Sequence, residues 1–139
     1  MILKEIEDFS GYFISDTGQV FCNLRHGARK YNLYDDDLRE IRPRFTKHGY
    51  ARIYIRQDST QKRKDLYIHR LVAQYFVENP FNYKYVDHKN CIRHDNRAEN
   101  LEWVSAKENI QRVIKNHHMH RDTLTGRYVS DFKYVLPMV

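Results

Sequence analysis

Asp87 and His88 stand side by side after the short β-type run Lys84-Tyr85-Val86. Asn96 follows in a polar stretch, then Asn100-Leu101-Glu102-Trp103, then Glu108-Asn109. The surrounding pattern orders these as strand, Asp-His, long polar loop, strand, capped helix. Asp87 and His88 then sit at a strand end, and Asn109 in the first turn of a helix. Such residue types suit phosphodiester cleavage, which needs a base to deprotonate water and a cation to offset charge on the phosphate and leaving oxygen. Histidine fits the first task because its unperturbed pKa lies near neutrality. A carboxylate with an amide oxygen is a hard-oxygen donor set suited to Mg²⁺ or Mn²⁺, with water and phosphate completing the shell. Asp-His followed by scattered asparagines is also common by chance, so spacing alone leaves ordinary surface residues as the other reading.

The elements that must position these residues are partly readable. Gly11-Tyr12-Phe13-Ile14-Ser15-Asp16-Thr17-Gly18-Gln19-Val20-Phe21 predicts a hairpin, two β-rich runs about an Asp-Thr-Gly turn. Residues 25–40, with Asp35-Asp36-Asp37 among them, read as a loop or short irregular insertion. From Tyr50 to Arg56 the pattern alternates: Ala51, Ile53 and Ile55 on one face, Tyr50, Arg52, Tyr54 and Arg56 on the other. A polar turn over 57–65 leads to Leu66-Tyr67-Ile68 as the returning strand. His69 to Val77 carries a helical apolar stripe of Leu71, Val72, Tyr75 and Phe76, stopped before Pro80. Leu101-Glu102-Trp103-Val104 is a further strand, with Trp103 expected in the core. Ser105-Ala106-Lys107-Glu108 fits a capping box opening a helix to about Asn116, with Ile110, Val113 and Ile114 inward.

Composition sets the frame. In 139 residues, 41% hydrophobic and 30% charged describe a globular chain of about one domain rather than a disordered one. No apolar run approaches the roughly 18 residues of a membrane span, so no membrane role is expected. The acidic start Met1-Ile2-Leu3-Lys4-Glu5 has no apolar signal core, and an intracellular location is expected. Two cysteines, Cys22 and Cys91, are too few for a disulfide scaffold or a four-cysteine zinc site. The net charge of +6 is unevenly spread: residues 41–79 carry 9 basic and 3 acidic side chains, while residues 80–109 carry 5 of each. The basic-aromatic face of Arg52, Tyr54 and Arg56, with Lys62-Arg63-Lys64 at the hairpin tip, could also be a solvated sheet. Its functional reading is a ribbon that contacts double-stranded DNA through phosphate, positioning the duplex more than reading it. Arg70 and Arg93 are further phosphate-clamp candidates. His117, His118 and His120 read as part of an exposed tail.

Residues 67–109 resemble the HNH homing endonucleases of phage and intron type. The likeness rests on Tyr67-Ile68-His69-Arg70-Leu71-Val72-Ala73, Asn79-Pro80, Val86-Asp87-His88, Asp95-Asn96-Arg97, Glu99-Asn100-Leu101-Glu102-Trp103-Val104 and Lys107-Glu108-Asn109. Gly11-Tyr12-Phe13-Ile14-Ser15-Asp16 and Gly18-Gln19-Val20 resemble the NUMOD4-like module often found N-terminal to that nuclease. The resemblance implies an α+β protein: an N-terminal antiparallel sheet over 1–66, a ββα-metal core over 67–116, and a short basic segment over 117–139. It implies a DNA endonuclease cutting one or both strands. His88 matches the general base, and Asn100 the middle Asn that fixes the loop and orients the base. Asp87 and Asn109 match the residues that hold one divalent ion, Mg²⁺ or Mn²⁺. His69 also matches a family histidine, with a structural role favoured. The chain departs from the family pattern at Asn90-Cys91-Ile92, where Asp-Gly-Asn is usual, which implies a displaced loop or strain at Cys91. The rival reading is a DNA-binding protein of the same fold that no longer cuts.

Overall fold

The computed structural model of the chain describes residues 1–24, 34–116, 119–121 and 128–130. Near the N-terminus, β1 (Leu3–Glu5), β2 (Tyr12–Ser15), β3 (Val20–Leu24) and β4 (Tyr34–Ile41) form an antiparallel sheet in that order. The expected hairpin is β2–β3. Its turn closes with Ser15 N–H donating to the Gln19 carbonyl at 2.9 Å, and with Gly18 at φ 86°, a left-handed position that glycine adopts without strain. The strand β4 corrects the expected loop: from Tyr34 onward the polar run pairs with β3, Val20 opposite Ile41 and Phe21 opposite Glu40. It is the sheet's edge, where charged side chains are tolerated and discourage further pairing, and Asp37 to Glu40 are all exposed.

A second antiparallel sheet holds β5 (Arg44–Phe45), β6 (Ala51–Arg56) and β7 (Arg63–Tyr67), with β6 central. The period-2 expectation holds: Ala51, Ile53 and Ile55 are buried, while Arg52, Tyr54 and Arg56 take the other, more open face. The helix α1 (Ile68–Phe76) follows β7 without an intervening residue. Ile68, expected to end the strand, instead opens the helix and is buried with Leu71 and Val72 on the apolar stripe. The helix stops at Val77, which is extended, three residues ahead of Pro80. Next, β8 (Tyr85–His88) and β9 (Leu101–Val104) pair antiparallel, joined by a long loop that ends in a 3₁₀ turn over Ala98–Asn100. The helix α2 (Ala106–Asn116) starts where Ser105 Oγ accepts the Glu108 N–H at 3.2 Å, the serine half of the expected capping box. Two short strands, β10 (Met119–Arg121) and β11 (Tyr128–Ser130), pair antiparallel. His117 and His118 lie outside the described residues.

One core joins the N-terminal sheet to β6, α1 and β9. Ile6, Phe9, Ile14 and Val20 from the N-terminal sheet pack in a single buried cluster with Ile53 and Ile55 of β6, Ile68 and Val72 of α1, and Leu101 of β9. Trp103 is half-buried rather than core. Its indole N–H donates to the Ala73 and Val77 carbonyls at 3.3 and 3.2 Å, satisfying the C-terminal end of α1. On α2 the expected inward face is not inward: Ile110 is 58% exposed and Val113 36%. The helix lies at the rim of the β8–β9 unit, and there its Asn109, Arg112 and Val113 line a cleft instead of a core.

Candidate active site

The β8–β9 register sets the site. His88 lies opposite Leu101, and Asp87 lies opposite Glu102. Two carboxylates facing each other across an antiparallel pair repel. Arg112, from the second turn of α2, resolves this by bonding both: its Nη1 donates to Asp87 Oδ2 at 2.9 Å and to Glu102 Oε1. Those two carboxylates raise the guanidinium pKa above its ordinary value. The same helix brings Asn109 to the cleft wall, one turn before Arg112.

His88 closes the floor. It is 5% exposed, and its Nε2 lies 2.8 Å from Asn96 Oδ1. Burial pushes the His88 pKa below its ordinary value, against the opposing pull of the Asn96 hydrogen bond and of Asp87 and Asp95. The ring lies 5.2 Å from His69 at a tilt of 48°, and His69 in turn lies 5.2 Å from Tyr50. His69 is buried, its Nδ1 has no hydrogen-bond partner among the described residues, and burial with the neighbouring His88 and Arg70 brings its pKa down to about 3. Arg93 lies over the Tyr50 ring at 4.9 Å and donates to the His48 carbonyl at 2.7 Å.

Asn100 acts on the loop, not on the ring. Its Oδ1 accepts the Asn90 N–H at 3.1 Å, and its Nδ2 donates to Asn90 Oδ1 at 2.9 Å and to the Asp95 carbonyl at 2.8 Å. The side chain hydrogen-bonded to the His88 ring is that of Asn96. Asn90 also donates to Asp95 Oδ2 at 2.7 Å, and Arg97 pairs with Asp95 and brings its pKa down to about 2. Within this tied loop Cys91 takes φ 63°, the left-handed conformation that a glycine would adopt freely and that costs other residues about 1–2 kcal/mol. Cys91 N–H donates to the His88 carbonyl at 2.9 Å, so the strained residue is fastened to the strand end that carries the histidine.

These groups share a polar cleft of about 260 Å³, lined by Asp87, His88 and Asn109 with Arg70, Arg93 and Arg112 among its walls. Asp87 and Asn109 offer a carboxylate and an amide oxygen, a donor set that fits a hard divalent ion keeping several waters. Among the described residues, no three His, Cys, Asp or Glu side chains gather as metal ligands.

The candidate DNA-contacting residues divide between two places. Arg70 and Arg93 are at the cleft. The others stand on the β6–β7 hairpin. Tyr54 is flanked by the guanidiniums of Arg63 at 5.6 Å and Arg44 at 5.3 Å. Arg52 pairs with Asp65 at 2.9 Å, Arg56 donates to the Gln61 carbonyl at 3.2 Å, and Lys62 and Lys64 are exposed. Arg63 and Lys64 are within β7 rather than at the tip. Sequence reasoning missed the contacts made by Asn96, Arg112 and Arg44. For Arg112 a signal existed: three residues after Asn109 on a helix is the same face.

Two antiparallel strands, the first ending in Asp-His, a long loop between them, and a helix returning an asparagine to the same cleft make a ββα unit within an α+β protein. The family model described as HNH endonuclease matches residues 66–111. The chain is 30% identical over 140 residues to the DNA endonuclease I-HmuI of Bacillus phage SP01, covering 98% of this chain and 70% of that protein. It is 39% identical over 135 residues to an uncharacterized HNH endonuclease, L247, of Acanthamoeba polyphaga mimivirus, covering 92% of this chain and 29% of that protein. This chain thus spans less than a third of the mimivirus relative's length. The solved structure of the HNH homing endonuclease I-HmuI matches with a TM-score of 0.66 at 29% identity, over 84% of this chain and 59% of that one. The chain belongs to the HNH endonuclease family. No described helix is long and apolar enough to cross a membrane.

Proposed function

We propose that this chain is a metal-dependent endonuclease that hydrolyses phosphodiester bonds of double-stranded DNA, acting as a homing endonuclease does. The observation that carries the reading is the convergence of Asp87, His88 and Asn109 on one cleft walled by three arginines. His88, kept neutral by burial, takes the proton from the attacking water. Asp87 and Asn109 would hold one Mg²⁺ or Mn²⁺ ion, which when bound supplies a Lewis acid beside the phosphate and the leaving 3′ oxygen. Arg112 holds Asp87 Oδ2 and leaves Oδ1 for that role. Arg70 and Arg93 offer positive charge to the phosphate, and Asn100 keeps the loop in place. The hairpin residues Arg52, Tyr54, Arg56, Lys62, Arg63 and Lys64 grip the duplex by its backbone. On this reading residues 67–116 do the chemistry, residues 1–66 form a NUMOD4-like gripping module, and residues 117–139 add a basic segment. An intracellular workplace goes with such a substrate.

Supercoiled plasmid incubated with the protein and Mg²⁺ or Mn²⁺ tests this. Open-circle or linear DNA is expected, with loss in EDTA and at least 100-fold slower cleavage by His88→Ala. DNA carrying the natural target, if it too stayed intact with both metals, would overturn the reading. One observation favours the second reading, a DNA-binding protein that does not cut: Arg112 already neutralises Asp87. Tight, salt-sensitive binding without cleavage, unchanged by His88→Ala, would establish it.

A further inference from the structure

The turn of the β2–β3 hairpin meets the loop that carries Asn96. A methyl group added at Gly18 would lie 2.8 Å from both the Cβ and the carbonyl oxygen of Asn96, closer than packed atoms approach. The two segments are also joined by backbone, the Ala98 N–H donating to the Asp16 carbonyl at 2.8 Å. The turn is itself stiff: Ser15 Oγ accepts the Gln19 N–H at 2.9 Å and lies 2.9 Å from Thr17 Oγ1. Asn96 is therefore backed by a rigid surface, is 5% exposed, and has its amide oxygen on the ring of His88. An amide oxygen only accepts, so the neutral imidazole in this contact carries its proton on Nε2 and keeps its lone pair on Nδ1.

We propose that Asn96 is the positioning residue of His88, selecting the Nε2–H tautomer and presenting Nδ1 to the cleft, and that the β2–β3 turn at Gly18 holds Asn96 in that pose. The N-terminal sheet is then part of the catalytic apparatus and not only a gripping module. The inference rests on the reading of His88 as general base for its effect on cleavage, but its effect on the tautomer stands apart from that reading.

Histidine-¹⁵N-labelled protein, metal-free in EDTA, gives the tautomer directly through long-range ¹H–¹⁵N correlations. The wild-type His88 is expected as the Nε2–H form. Asn96→Ala is expected to give a mixture of tautomers, with kcat down roughly 10- to 100-fold and KM for DNA changed less than about twofold. Asn96→Asp keeps an acceptor in place and is expected to restore both the Nε2–H form and most of kcat. Gly18→Ala is expected to shift the tautomer in the same direction as Asn96→Ala. If Gly18→Ala does not fold, Thr17→Ala, which loosens the turn without adding a clash, takes its place with the same expected direction. An Nδ1–H ring in the wild type, or an unchanged tautomer in Asn96→Ala, would overturn the proposal. A normal tautomer result together with full cleavage by His88→Ala would instead overturn the assignment of the base and leave the positioning contact standing.

Discussion

A buried imidazole stays neutral at a cost that appears in acid. His69 has its pKa at about 3 in the folded chain against an ordinary value of 6.5. Between those values the unfolded chain takes up a proton that the folded chain refuses, so stability falls as pH drops below 6.5 and is fully lost from this source below 3. At pH 5 the loss is about 2 kcal/mol. Urea unfolding at pH 7.5 and pH 5 should show it, and His69→Gln should flatten the difference by about that amount. A difference that stays the same in the variant would mean that other groups set the acid response. At this scale the sequence was informative where chemistry is local. That Asp87, His88 and Asn109 meet at one cleft could be anticipated, because residue type and family order name them. The contact of Asn96 with His88 could not, since the loop that carries Asn96 is backed by Gly18, far away along the chain. Arg112 was hidden for a different reason: an arginine on a helix is ordinarily solvated, and only the Asp87–Glu102 register gives it two partners.

The β6–β7 hairpin is the element to test for grip. On its outward face Tyr54 lies between Arg63 of β7 and Arg44 of the neighbouring β5, while Lys64, opposite Ile55, is exposed on the other face and Lys62 is exposed in the turn. Replacing Lys62, Arg63 and Lys64 with alanine should weaken DNA binding in EDTA and lower the slope of log affinity against log salt by roughly 0.9 for each phosphate that these side chains neutralise. An unchanged slope would place the grip elsewhere. Among elements, β6 was the most legible because burial on one face imposes a strict period of two. The strand β4 was not, because an edge strand with little to bury has no such period, and its acidic run looked like a loop. The helix α2 was found through its serine cap, but its face was misjudged. Apolar spacing says that Ile110, Val113 and Ile114 share a stripe; it does not say that a core lies beneath it.

Across the whole molecule the two halves are bound by what they bury together. Ile14 of β2 is completely buried in the same cluster as Ile53, Val72 and Leu101. Ile14→Ala should therefore cost about 2–5 kcal/mol and should destabilise the far side too. Trp103 fluorescence, which reports on α1 and β9, and far-ultraviolet circular dichroism should lose their signals in one coincident transition, shifted together in the variant. Two separate transitions would show that the halves fold independently. The α+β class and the ββα order were readable from the chain, whereas the shared core was not, because hydrophobic pattern marks which faces are buried and not against what. On the proposed function, the direct passage from Tyr67 into Ile68 has a mechanical meaning, since one element would grip and the next would cut. With no spacer at that joint, the hairpin cannot swivel about α1, and α1 is tied to the strand bearing Trp103. The protein would then work as a ruler, its cut falling at a constant offset from the gripped patch, and a few flexible residues inserted at the joint would blur that offset into a spread of cut positions.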